Sequence, residues 1–218
     1  MKHFLLLAFF LPLIFPGCGN RFSDWAADHV KHGKVREIHK ERVVKYLRSI
    51  RIYQDFSTVG IFDALWLSHE VRQAYIDVFS SKYVLDKEKE EELLRKQRIE
   101  NDNFISFYVL SYIPDTSINL GEKNCPWAID LKVNNKLYVP KVVETVELSP
   151  EYLTFLSRIL NKYKNVHLVK FAAKDENGDP IITARTRILE MRLSTIDRST
   201  SLVWHIDKNQ NLVKDQEE

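Results

Sequence analysis

Apolar positions change their spacing once along this chain, close to Asn101. Before that point they recur at three- and four-residue steps, as in an amphipathic helix. Val35, Ile38, Val43, Tyr46, Leu47 and Ile50 form one such stripe, with Lys34, Arg36, Lys40, Glu41, Lys45 and Arg48 on its wet side. A second helical segment is predicted near Ile61 to Leu67. Ser68 is placed to cap a third, in which Val71, Tyr75, Val78 and Phe79 form the buried stripe. Asp86 opens a strongly polar helix reaching Glu100, with Glu91–Arg95 and Glu92–Lys96 at the favourable i,i+4 spacing. Only Leu93, Leu94 and Ile99 offer it apolar contact, so it is read as a solvated helix lying over the domain or connecting two parts of it.

Beyond Asn101 the period is that of strands. Phe104 to Tyr112 is aromatic and branched and stops at Pro114. Trp127, Ile129, Leu131 and Val133 alternate with Asp130 and Lys132. Asn134-Asn135 suits a turn with positive φ, returning Leu137 to Val146 as the partner strand. Pro140 puts that strand at an edge or gives it a bulge. Ser149-Pro150 starts a helix of about three turns through Leu153, Leu156, Leu160 and Tyr163. Val166 to Ala172 and Ile181 to Leu193 read as a hairpin turned by Asn177-Gly178. Its second strand changes apolar parity, which predicts a bulge near Ile188–Leu189. Leu202, Trp204 and Ile206 mark a last strand, and the residues after Lys208 are polar.

The composition narrows the class. Of 218 residues 44% are apolar, too many for a disordered chain. Two cysteines do not make a disulfide framework, and 32 basic against 30 acidic residues give no reason to expect nucleic acid as a partner. Six glycines and seven prolines exclude collagen-like sequences.

The first residues carry the most specific signal. Met1-Lys2-His3 is a short basic start, and Phe4 to Phe15 is apolar except for Pro12. Twelve helical residues span roughly 18 Å, short of the ~30 Å core of a bilayer. A basic start, a short apolar run and small residues behind it describe a secretory signal. Phe15-Pro16-Gly17-Cys18 resembles the lipobox of bacterial lipoproteins, with Phe15 at the usual leucine-like position. The resemblance implies cleavage before Cys18 and a diacylglyceryl group on its sulfur, so membrane lipid becomes a partner through acylated Cys18. Gly19, in place of the aspartate associated with inner-membrane retention, points to the outer membrane. A plain secretory signal, with Cys18 a thiol or bonded to Cys125, is the alternative.

Candidate chemistry elsewhere is sparse. His29, His32 and His39 lack the convergent ligands of a zinc site and read as a solvated cluster. Asp175, Asn177 and Asp179 imitate the start of a calcium loop, but Pro180 and Thr186 stand where its glycine and glutamate belong, so a hairpin turn explains them better. Ser68-His69-Glu70 has triad residue types at neighbouring helical positions, which point apart. Cys125 with His167 or His205 lacks a local signature for a thiol–imidazole pair. Arg185 and Arg187 on one strand face, with Arg192 beyond, are a solvated exterior or a patch for an anionic ligand. Trp66, Trp127 and Trp204 read as core.

The expected architecture is α+β, a helical N-terminal region followed by an antiparallel β-sandwich, with an immunoglobulin-like arrangement as one candidate. The divisions are a signal peptide at 1–17, anchor and tether at 18–34, a helical region at 35–101, the sandwich at 102–208 and a frayed tail at 209–218. The expected function is a non-catalytic binding or assembly role in the bacterial cell envelope, with a protein or glycan partner and neither cofactor nor metal. An envelope hydrolase assembled from distant residues and a soluble periplasmic protein are the alternatives.

Overall fold

The computed structural model describes residues 38–207 and Leu212. They lie almost wholly within the second of two compact units, Met1–Ile38 and His39–Glu218, and the fold below is that of the second. The signal segment, Cys18, the tether with His29 and His32, and all of the tail except Leu212 fall outside the described residues.

The protein is α+β with two antiparallel sheets. In the first, β1 (Leu47–Gln54), β2 (Ser57–Trp66), β3 (Phe104–Tyr112), β7 (Asn165–Ala172) and β6 (Val142–Thr145) lie side by side in that order. The second has the order β5 (Lys136–Tyr138), β4 (Ala128–Val133), β8 (Ile188–Ser194) and β9 (Ser199–His205). Helices α1 (His69–Tyr83) and α2 (Lys87–Asn103) connect β2 to β3, and α3 (Pro150–Leu156) precedes β7.

Period-2 alternation assigns the faces of the first sheet. Phe62, Phe107 and Phe171 share one face, where Phe62 meets Trp127 at 4.9 Å and Phe107 meets Trp204 of β9 at 5.2 Å between ring centroids. The opposite face is covered by helices. Tyr108 of β3 meets Tyr152 of α3 edge-on at 4.9 Å, and Tyr152 stacks on Tyr75 of α1 at 4.7 Å. Trp66, Trp127 and Trp204 are all buried, as their apolar surroundings predict.

Three helices begin where their caps are legible. Ser68 accepts from Val71 N–H ahead of α1, Asp86 accepts from Lys89 N–H ahead of α2, and Pro150 occupies the first turn of α3. No residue of α2 is buried, so it lies on the domain as a solvated helix. Arg72 of α1 ties it down, donating to Gln97 Oε1 at 2.5 Å and to Asn101 Oδ1 at 2.6 Å, while Lys170 of β7 reaches Glu100 at 2.5 Å.

Several expectations are corrected. Only residues 39–44 of the first predicted helix are helical in this unit, and Leu47 begins β1. The Tyr46 carbonyl accepts from Trp66 N–H at 3.1 Å and from the Trp204 indole at 2.8 Å, partners a continuing helix would not give it. Ile61 to Leu67 is not a helix either: it belongs chiefly to β2, which pairs on both edges and is buried on both faces. A short run buried all round has no period to separate strand from helix. The 35–101 region is therefore not wholly helical, and its strands continue the sheet of β3 and β7 across residue 101.

Leu137 to Val146 is two strands, since the chain leaves the second sheet after Tyr138 and joins the first at Val142. Pro140 sits at the crossing, where its missing N–H costs no ladder bond. Helix α3 ends at Leu156, leaving Tyr163 exposed. Val166–Ala172 and Ile181–Leu193 do not form a hairpin, because β7 and β8 belong to different sheets. The parity change has a simpler cause than a bulge: residues 181–187 are not a strand, and Leu189, Met191 and Leu193 are the buried row of β8.

Candidate functional site

The β4–β5 hairpin closes on Asn134 and Asn135 at φ 49° and 65°, the left-handed pair that a two-residue turn requires and that asparagine tolerates. This fixes Val133 opposite Lys136 and Leu131 opposite Tyr138. Tyr138 packs on the core, while Leu137 and, just beyond the strand, Val139 stay 54% and 67% exposed. After Pro140 the chain is caught by the first sheet, with Lys141 N–H donating to Lys170 O at 2.7 Å.

That crossing forms one wall of a groove of about 580 Å³. Lys174, Asp175 and Glu176, in the turn after β7, form the other wall. Asp175 is committed to its own turn, its Oδ1 accepting from Asn177 N–H at 2.9 Å and Asp179 N–H at 3.1 Å while Gly178 supplies φ +85°. Three exposed lysines, Lys136, Lys141 and Lys174, therefore line the groove against two carboxylates, Asp175 and Glu176, together with exposed Leu137 and Val139. The arrangement suits an anionic ligand with apolar parts. A second cavity of about 500 Å³ lies at the start of α1 and the end of α2, and Lys174 lines both.

The other candidates are placed as follows. Arg185 and Arg187 lie in the irregular stretch before β8 and not on a strand face. Arg187 Nη1 is held by the carbonyls of Ala184 and Thr186 at 2.9 and 3.1 Å. Arg192 is on β8, on the outward side that also carries Glu190, where Lys132 pairs with Glu190 at 3.1 Å. The three arginines are thus split between a loop and a mixed-charge sheet face. Ser68 is occupied as a cap, Glu70 accepts from the Tyr46 hydroxyl at 2.5 Å, and His69 is exposed. His39 Nδ1 lies 3.5 Å from Asp77. Asp175, Asn177 and Asp179 make the turn already described. Cys125 is a half-buried free thiol, and burial raises its pKa, which keeps it protonated at neutral pH.

His167 pairs with a serine. Its Nε2 lies 3.1 Å from Ser111 Oγ, and its Nδ1 lies 3.5 Å from Thr145 Oγ1, linking β3, β7 and β6. Both His167 and Ser111 are buried, and burial pushes the imidazole down to about 4. The ring is neutral at pH 7, and the group beyond it is a hydroxyl where a triad has a carboxylate. The arrangement works as a buried cross-strand link. It was missed in the sequence because residues 111, 145 and 167 share no local spacing. The groove was missed too; its only sequence signal is the change of environment at Pro140 between Lys136 and Lys141.

No family model, curated protein or solved structure matches the chain. Among the described residues no helix is long and apolar enough to cross a membrane, and no group of three or more potential ligands gathers for a metal.

Proposed function

We propose that this is a lipid-anchored protein of the bacterial cell envelope, held through acylated Cys18, whose domain binds an anionic partner without catalysis. The single observation behind the binding role is the groove in which Lys136, Lys141 and Lys174 surround exposed Leu137 and Val139. The anchor rests on the Phe15-Pro16-Gly17-Cys18 resemblance, and Gly19 favours the outer membrane. The hydrolase alternative has less support: the serine–histidine pair is buried, so a substrate has no access to Ser111 Oγ. The two sheets are read as a β-sandwich, with Phe62–Trp127 and Phe107–Trp204 as its contacts. The immunoglobulin-like variant is not carried further, because β1 is left at the edge of the order β1-β2-β3-β7-β6, where a Greek key sets a returning strand beside it.

The test is a titration of the full chain with a labelled glutamate octamer and, separately, a galacturonate octamer. The reading expects saturable binding of at least one, lost on Lys136→Glu with Lys174→Glu and weakened by salt. Binding that is indifferent to both lysines would overturn the groove as the site.

A further inference from the structure

We propose that β5 takes an acidic, extended segment of a partner protein as an added strand of the four-stranded sheet. The proposal rests on the groove being the binding site and specifies its ligand. Among the described residues, β5 is an edge with β4 as its one strand neighbour. A two-residue turn makes the closing pair, Val133 and Lys136, the one that exchanges backbone hydrogen bonds. Alternation then turns the N–H and C=O of Leu137 away from β4, towards the open edge. All three residues of β5 and the following Val139 line the groove, so a chain seated in it is within reach of that edge.

Side chains define what such a strand must be. Lys136, Lys141 and Lys174 line the groove against Asp175 and Glu176, an excess of one positive charge, and Asp175 Oδ1 is already taken up by its own turn. An added strand with acidic residues meets these ammonium groups, and apolar residues between them meet Leu137 and Val139. Lysine, proline and shortness are the usual guards of an exposed edge. Here they do more than repel: the same lysines oppose a second copy of this edge and favour a strand of opposite charge. Pro140 limits pairing to the stretch before it, so recognition is short and its affinity modest.

The experiment uses the full chain carrying Cys18→Ser, which keeps acylation out of the measurement. The probe is a labelled eight-residue peptide alternating glutamate and valine, compared with the same peptide methylated on every backbone nitrogen. Expected results are at least tenfold weaker binding of the methylated peptide and protection of the Leu137 amide from hydrogen exchange by the unmethylated one. Lys136→Glu with Lys174→Glu weakens the unmethylated peptide about tenfold, the worth of two exposed ion pairs. Equal binding of both peptides that still depends on the lysines overturns strand addition and leaves the groove reading standing. Failure of both peptides to bind overturns strand addition, and only the absence of binding by both octamers as well removes the groove. Leu137→Pro, which deletes the outward N–H at a position where an edge tolerates proline, should abolish binding without changing the far-ultraviolet circular dichroism.

Discussion

Acidification should destabilise this domain through His167 in a window set by its burial. The imidazole is enclosed beside Ser111 and Thr145, and burial holds its pKa near 4 against an ordinary 6.5. Below pH 6.5 the unfolded chain binds a proton at this site that the folded chain refuses, so stability falls with pH until the folded pKa is passed. The cost is about 0.8 kcal/mol at pH 6, about 2 at pH 5 and about 3 at pH 4, levelling near 3.4 for the full separation of the two pKa values. Urea unfolding of the wild type and of His167→Gln at pH 7, 6, 5 and 4 isolates this from the carboxylates, which titrate in both proteins. The Gln variant should start less stable at pH 7 and lose less on acidification, the gap narrowing by about 2 kcal/mol between pH 7 and pH 5. Parallel pH profiles would refute the assignment of a neutral, buried imidazole.

Two further outcomes follow from particular contacts. Asp63, buried on β2, accepts from Lys164 Nζ and Ser49 Oγ, each at 2.5 Å, and Lys164 also donates to the Ile159 carbonyl at 2.8 Å. Asp63→Ala leaves a buried ammonium short of its counter-charge and should cost about 3–5 kcal/mol, whereas Asp63→Ala with Lys164→Met should recover most of it in denaturant unfolding. Val84, 88% exposed, ends α1 at φ 50°, ψ 51°, a left-handed position unfavourable to a branched side chain. Val84→Gly should stabilise by roughly 0.5–1 kcal/mol, seen as a rise of about 1–4 °C in Tm, and a fall in Tm contradicts the strain argument.

Local chemistry was the readable part of this fold. Ser68, Asp86 and Pro150 mark helix starts because caps act within three residues, and Asn134-Asn135 marks its turn because few residues accept positive φ. Alternation found the buried rows of β4 and β9. The failures lie where tertiary contacts decide. Tyr46 ends its helix through bonds to Trp66 and Trp204, far along the chain. The run 61–67 is buried on both faces, so its periodicity is silent. Val166–Ala172 and Ile181–Leu193 looked like a hairpin because Asn177-Gly178 is a genuine turn, yet the chain uses it on the way between sheets. The candidate groove was illegible for the same reason: Lys136 and Lys174 are 38 positions apart in sequence and meet only through the crossing at Pro140.

The claim that this domain works at a membrane surface stands or falls with Cys18. Its most direct test is the intact mass of the protein purified from the membrane fraction of a bacterial host. The account predicts a chain beginning at Cys18 with the added mass of a diacylglyceryl group, and a Cys18→Ser variant that carries no lipid and leaves the membrane. A wild-type chain that bears no lipid, whether cleaved or not, contradicts it.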